Sequence, residues 1–267
     1  MREPARPHDP TLGITSVPNL RDVGGKPTRD GRLVRSGLLY RSGTLGRLEE
    51  ADTEALSRLG LRRVYDLRGA REREAMPDRL PRGTEYLSCD VLADWTEAGP
   101  DQVFALVEDP DAARKQLGGG RLEALWVEQY RKFVTLPSAH TAYGRIFRDV
   151  ARAENRPALI HCSGGKDRSG WAAASLLLLL DVAPDVVSAD YRRSDRREDA
   201  SGPMMQALVE RGADPELWLP IIAAEPRYLD AALDQVRLSF GSIEAYFADG
   251  LGVDAATQEA LRDAFVE

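Results

Sequence analysis

Residues 161–170 read His-Cys-Ser-Gly-Gly-Lys-Asp-Arg-Ser-Gly, so that Cys162 is followed six positions later by Arg168. An apolar run at 158–160 with strand character leads in, and a small, apolar stretch at 171–180 with helical character leads out. The cysteine therefore sits at a strand end, and the loop sits at a helix N-terminus. Such an end has N–H groups without intrahelical partners and a partial positive charge, and it binds phosphate readily. The backbone of Ser163, Gly164, Gly165 and Lys166 supplies further N–H groups, and the two glycines let it turn close to a ligand. Arg168 can grip two phosphate oxygens through its planar fork, and Lys166 adds a second cation. The same surroundings favour the Cys162 thiolate, a nucleophile for phosphorus. Ser169 can donate a hydrogen bond to the sulfur as it departs in a second step. His161 is suited to fixing the loop through its ring N–H groups rather than to acting as a base.

A cysteine and an arginine six apart are a weak mark in a chain with 36 lysines and arginines. A lone cysteine after a strand is more often a core residue. The conjunction of strand, His-Cys, Gly-Gly, Lys, Arg-Ser-Gly and helix is specific. HCSGGKDRSG resembles the HCxxGKDRTG signature of the bacterial tyrosine and lipid phosphatases of the mycobacterial protein tyrosine phosphatase B type. That family lies within the cysteine-dependent phosphatases with a C-x5-R loop. Ser169 stands where threonine is commoner and keeps the hydroxyl. Pro18-Asn19-Leu20-Arg21-Asp22-Val23-Gly24-Gly25 resembles the family's N-x-R-D-x-G-G opening. Asp66-Leu67-Arg68 followed by Arg71-Glu72 resembles its DLR-x-x-x-E segment, and Asp190-Tyr191 with Ser194 its D-Y-x-x-S segment. The resemblance implies hydrolysis of phosphate monoesters through a phosphocysteine. It makes phosphotyrosine the default substrate, with phosphoserine, phosphothreonine and phosphoinositides also admitted. Lys166 argues for tolerance of the more highly charged ones.

Such a reaction needs an acid for the leaving oxygen and then a base for water. Many cysteine phosphatases take it from a Trp-Pro-Asp loop, and no such triplet occurs here. Three aspartates are candidates, in the order Asp167, Asp90, Asp94. Asp167 lies in the loop itself, and the resemblance points to it. Among so many cations its carboxylate suits the base role better than the acid role.

Length allows one large domain or two small ones, and 43% hydrophobic with 30% charged residues is ordinary for a globular protein. A net charge of −7 argues against nonspecific nucleic-acid binding, so an anionic substrate needs a local basic pocket. The three histidines, His8, His140 and His161, are scattered, and no metal-ligand set or cofactor motif is apparent. A nucleophilic thiolate fits a reducing cytosol, with Cys89 as a buried strand residue. The less favoured alternative is a protective Cys89–Cys162 bond. MREPARPHDP has no apolar segment and does not read as a signal peptide, although leaderless export stays open. The longest apolar run, 171–180, is shorter than the ~20 residues of a membrane span. Nothing in the sequence sets an oligomeric state.

The elements that must position the loop follow from pattern. Residues 1–12 read as a loose arm, and 13–267 as a single domain. Gly24-Gly25 marks a turn, with Arg21 and Asp22 available to brace the loop. Strands are expected at 33–35, 38–41, 62–67 and 86–91. The third ends at Asp66 and Arg68, placed beyond a strand's carboxyl end to support the loop. The run Arg71-Glu72-Arg73-Glu74 reads as a solvated charge run. Helices are expected at 48–59, 122–134 and 137–152, with aromatic residues as core. Residues 97–120 read as a surface insertion. A helix carries Val186 to Asp190, and Arg192, Arg193, Arg196 and Arg197 read as a solvated face. Proline-broken amphipathic segments at 203–240 form either a lid or a packed cap, and two helices at 242–248 and 254–266 end the chain. Together these give an α/β fold with a central, mostly parallel sheet of four or five strands, flanked by helices, and a helical C-terminal part. Two rivals share parts of the signature: a rhodanese-like sulfurtransferase and a noncatalytic phosphate-binding module.

Overall fold

The computed structural model describes residues 12–95, 103, 106, 109–195, 209, 210, 212 and 214–267. Five strands, β1 (Arg21–Asp22), β2 (Leu39–Ser42), β3 (Arg63–Asp66), β4 (Glu85–Ser88) and β5 (Ala158–His161), make one sheet in the order β1-β2-β5-β3-β4. Four run parallel, and β1 pairs antiparallel to β2 at the edge. Side chains alternate across a strand, and that alternation sorts the core into two layers. Leu159, Val64 and Tyr40 face a smaller layer with Ile14, Val17 and Leu56. Ala158, Ile160 and Tyr65 face the larger layer, which holds most of the helices.

The smaller layer is closed by α1 (Glu50–Arg58). The short α2 (Ala70–Ala75) follows β3, and α3 (Pro110–Leu117) follows β4. The larger layer is built from α4 (Arg121–Thr135), α5 (Pro137–Val150) and α6 (Arg168–Leu179). Then come α7 (Pro184–Arg192), α8 (Pro215–Ile222) and α9 (Pro226–Phe240). A short α10 (Ile243–Ala245) runs into a π-helical turn, Tyr246–Gly250, before α11 (Ala255–Phe265). Prolines open α3, α5, α7, α8 and α9, where a missing N–H costs nothing. Helix α6 is buried on every side, with Trp171 fully enclosed, as its continuous apolar sequence requires.

Differences from the expected elements lie mainly at the sheet edge. Residues 33–35 add no strand: Leu33 and Val34 make only isolated bridges, to Pro27 and Val266. The segment beside the glycine pair, Arg21–Asp22, pairs with β2 instead. It is short because left-handed turns bound it, at Asn19 (φ 57°) and Gly25 (φ 74°). The strand expected at 86–91 stops at Ser88. The expected arm at 1–12 lies almost wholly outside the described residues, as do Arg196, Arg197 and most of 97–108. Of the expected lid or cap, α8 and α9 are described. Tyr228, Leu229, Ala231, Ala232 and Val236 of α9 are buried, and α9 lies along α4. No helix among the described residues is long and apolar enough to cross a membrane.

Candidate active site

The loop from Cys162 to Arg168 leaves β5, the middle strand, at its carboxyl end and enters α6. Its carbonyls are tied to the surrounding scaffold. Thr44 N–H donates to Ser163 O at 3.1 Å. Asn19 Nδ2 and Arg41 Nη2 donate to Gly165 O at 2.6 and 2.7 Å, and Arg41 also reaches Lys166 O at 3.2 Å. A peptide plane whose oxygen is held on one side presents its N–H on the other, so this bracing leaves loop N–H groups for an anion. Gly165 is required by this arrangement. Its φ is +69°, and a Cβ there would lie 2.5 Å from Gly43 N at the end of β2. A Cβ at Gly164 would meet nothing within 4 Å.

Behind the brace stands Asp190 of α7, 6% exposed. It pairs with Arg21 at 3.3 Å, Lys26 at 3.1 Å and Arg41 at 3.4 Å. Burial alone would raise its carboxyl, but these cations hold it well below the usual carboxylate range. Arg21 also donates to Ser194 Oγ at 2.9 Å and to Asn19 Oδ1. The Asn19, Arg21, Asp190 and Ser194 positions of the sequence signature are thus one buried assembly beneath the loop.

Cys162 Sγ is buried and lies 3.6 Å from Ser169 Oγ. Arg168 is clamped end-on by Glu72 of α2: Nη1 donates to Oε2 at 2.5 Å and Nη2 to Oε1 at 2.7 Å. Glu72 also accepts from Ser163 Oγ at 2.5 Å and from Gly69 N–H at 3.0 Å. Burial would raise the Glu72 carboxyl, yet Arg168 and these donors bring it down to about 2. Tyr143 from α5 donates to Arg168 O at 3.1 Å, fixing the first turn of α6.

On the β3 side, Asp66 accepts from Arg68 Nε and Nη2 and from Tyr86 Oη, the last at 2.8 Å. Burial opposes its ionisation, but the Arg68 hydrogen bonds hold it at about 2. Arg68 Nη2 also pairs with Asp78 at 2.7 Å. His161 Nε2 lies 3.1 Å from Asp78 Oδ2 without hydrogen-bond alignment, and its Nδ1 lies 3.4 Å from Cys162 O. Among the described residues, Asp66, Asp78 and His161 are the group whose ligand atoms come within 4.8 Å of one another. Arg68 already supplies the positive charge at that group.

Asp167 is the N-cap of α6, but its side chain caps no N–H of the helix. Its Oδ1 instead accepts from Tyr130 Oη of α4 at 2.9 Å and lies 3.4 Å from Lys166 Nζ. The Lys166 side chain, named from sequence as a phosphate ligand, is bonded to protein carbonyls. Its Nζ donates to Ile221 O at 2.7 Å and Ala223 O at 2.8 Å, at the C-terminal end of α8, and sits over the Tyr228 ring. Carbonyls left unpaired at a helix end attract a cation, and they hold this one. Burial lowers the Lys166 ammonium from its ordinary value, with Asp167 acting against that shift.

The profile of the tyrosine phosphatase family matches residues 12–267. The chain belongs to the tyrosine phosphatase family. An inferred tyrosine-protein phosphatase of Cupriavidus necator is 31% identical over 252 residues, covering 93% of this chain and 86% of that protein. The triple specificity protein phosphatase PtpB of Mycobacterium tuberculosis is 29% identical over 270 residues, covering 91% and 95%. A tyrosine-protein phosphatase of Nostoc commune matches more locally, 31% over 147 residues, covering 55% and 45%.

Within this phosphatase, the other aspartates named from sequence accept hydrogen bonds from backbone N–H groups. Asp22 accepts from Gly24 N–H at 2.7 Å and Gly37 N–H at 2.5 Å, which holds its own turn. Asp90 accepts from Leu92 N–H at 3.0 Å, and Asp94 from Ser138 N–H at 2.7 Å at the start of α5. Cys89 and Cys162 are both free, and burial pushes the Cys89 thiol up to about 11. Glu72, read from sequence as part of a solvated run, is instead the partner of Arg168. Its neighbours Arg71, Arg73 and Glu74 gave it the look of a solvated face, and only the DLR-x-x-x-E spacing set it apart. Asp78 and Tyr130 carried no sequence signal as site residues. Arg41 was legible only as the last residue of the strand expected at 38–41.

Proposed function

We propose that this phosphatase works through a phosphocysteine on Cys162, with phosphotyrosine as its main substrate class. The braced loop carries the proposal: three of its carbonyls are held outward, beside a buried sulfur at a helix N-terminus. Cys162 Sγ attacks phosphorus and the P–O bond to the leaving group breaks. Loop N–H groups and Arg168 hold the equatorial oxygens. Glu72 takes the Nη1/Nη2 end of the guanidinium, which leaves the Nε–H edge for two phosphate oxygens. Asp167 gives its proton to the leaving oxygen. In the second step Asp167 takes a proton from water as that water attacks phosphorus. The S–P bond breaks, and Ser169 donates to the departing thiolate. His161, Asp66 and Arg68 keep the loop in register.

Lys166, the basis of the sequence argument for highly charged substrates, has its ammonium bonded to carbonyls at the end of α8. Phosphoserine, phosphothreonine and inositol lipids, which the sequence resemblance admits, enter as arms of the substrate panel. The test is hydrolysis of an aryl phosphate, without added metal, by wild type and Cys162→Ser. Turnover by wild type alone, with a phosphate adduct on Cys162 in acid-quenched protein, is expected. Equal rates for the two proteins would overturn the mechanism.

A further inference from the structure

An aspartate at an N-cap ordinarily turns its carboxylate back to accept from the N–H of the second or third helical residue. Asp167 occupies that position and does not do so. Its Oδ1 is drawn toward α4 by Tyr130 Oη at 2.9 Å. Tyr130 is fully buried and its Oη lies 2.8 Å from Tyr191 Oη of α7. The directions of these bonds are fixed by proton count. A phenol has one proton, and Tyr130 donates it to Asp167, so Tyr191 must donate to Tyr130. Burial, and after it the neighbouring Asp167 and Tyr191, push the Tyr130 phenol well above its ordinary value, so it remains a donor. Among the described residues, Oδ2 of Asp167 makes no hydrogen bond.

We infer that Tyr130, backed by Tyr191, is a positioning residue that keeps the Asp167 carboxyl off the helix N-terminus and presents Oδ2 for proton transfer. The inference rests on the reading of Asp167 as acid and base. With Oδ1 occupied by a donor, the transferable proton resides on Oδ2. It passes to the leaving oxygen as the P–O bond breaks and the S–P bond forms. When water attacks the phosphocysteine, Oδ2 takes back one proton and the thiolate is released. Without the Tyr130 hydroxyl, the carboxylate is free to rotate onto the open N–H groups of the first turn of α6. There it would compete with phosphate and lose its line to the leaving group.

A proton donor matters most when the leaving group is a strong base. Values of kcat/KM for phenyl phosphate and for 4-nitrophenyl phosphate, whose leaving group needs little help, separate this role from a structural one. Asp167→Asn is expected to widen the ratio between the two substrates about 100-fold, the size of a general-acid contribution. Tyr130→Phe is expected to widen it about tenfold, as a lost orienting hydrogen bond would. Added to Asp167→Asn, Tyr130→Phe is expected to change the ratio less than about twofold, since two residues acting through one step are not additive. Tyr191→Phe is expected to widen it by a smaller factor, and it decides the matter if Tyr130→Phe does not fold. Equal proportional losses on both substrates in Tyr130→Phe, with Asp167→Asn still selective, would overturn the inference and leave the acid assignment standing. Equal losses in Asp167→Asn would sink the assignment, and the inference with it.

Discussion

Two carboxylates flank the loop, the buried Asp190 and the partly buried Glu72, and each binds arginine, yet they are built differently. Asp190 lies beneath the loop and is surrounded by Arg21, Lys26 and Arg41, with Arg193 at 3.8 Å. Those arginines go on to bond Gly165 O, Lys166 O, Asn19 and Ser194. The centre is closed, with its donors turned to protein groups. Glu72 lies beside the loop and holds only one end of one guanidinium, together with Ser163 and Gly69. That centre is half-open, because the other edge of Arg168 is unengaged by Glu72. A closed ionic cluster fixes the shape of the backbone. A half-open one orients a cation, and under the proposed mechanism the other edge of that cation takes the phosphate.

The contrast can be broken experimentally. Asp190→Asn should have the largest effect on the fold, since it leaves several buried cations without a counter-charge. Losing one partner of a buried pair typically costs about 3–5 kcal/mol. Chemical denaturation should register that loss. If Asp190→Asn keeps wild-type stability and loses only turnover, the description of a closed structural centre fails. Glu72→Gln should cost less stability than Asp190→Asn, since it leaves one cation rather than several without a partner, and should lower kcat/KM by about 10- to 100-fold as Arg168 loses its orientation. Steady-state kinetics on an aryl phosphate beside a thermal melt distinguish the two patterns.

Acid titration gives a finer comparison. The Glu72 carboxyl titrates at about 2 in the folded protein against an ordinary 4.5. Between those values the unfolded chain binds more protons, so its contribution to stability is complete above about pH 4.5 and disappears as pH falls toward 2. Unfolding free energy should therefore fall less steeply across that window in Glu72→Gln than in wild type. Parallel slopes would show that the Glu72–Arg168 pair adds nothing to the acid limb. The smallest effect is expected at Lys166→Met, which leaves the carbonyls of Ile221 and Ala223 without their ammonium donor, at a cost of about 1–3 kcal/mol. Hydrogen exchange should locate that loss in α8. Uniform loosening of the whole domain would contradict a local role for Lys166.

The layout of the loop was legible in the sequence because it is local. A strand end, a glycine-containing turn and a helix N-terminus occupy ten consecutive residues, and their geometry needs no distant partner to be recognised. Alternating strand and helix patterns likewise give the parallel sheet, and the four signature segments mark which parts of the chain meet at the loop. The short pairing of Arg21–Asp22 with β2 was not legible, because two residues carry no alternation to read.

What the tertiary structure alone decided is the partner of each charge. Arg71-Glu72-Arg73-Glu74 has the same letters whether it is solvated or has one face packed against Arg168, and helix α2 had to be docked for Glu72 to be singled out. Tyr130 looks like any core aromatic on the inner face of α4 until Asp167, 37 positions away, is brought to 2.9 Å. Lys166 reads as a phosphate ligand until the end of α8 presents its carbonyls. A sequence fixes which groups exist and how neighbours along the chain are spaced. A buried charge takes its role from whatever fills the space around it, and in this phosphatase that space is filled by residues tens of positions away.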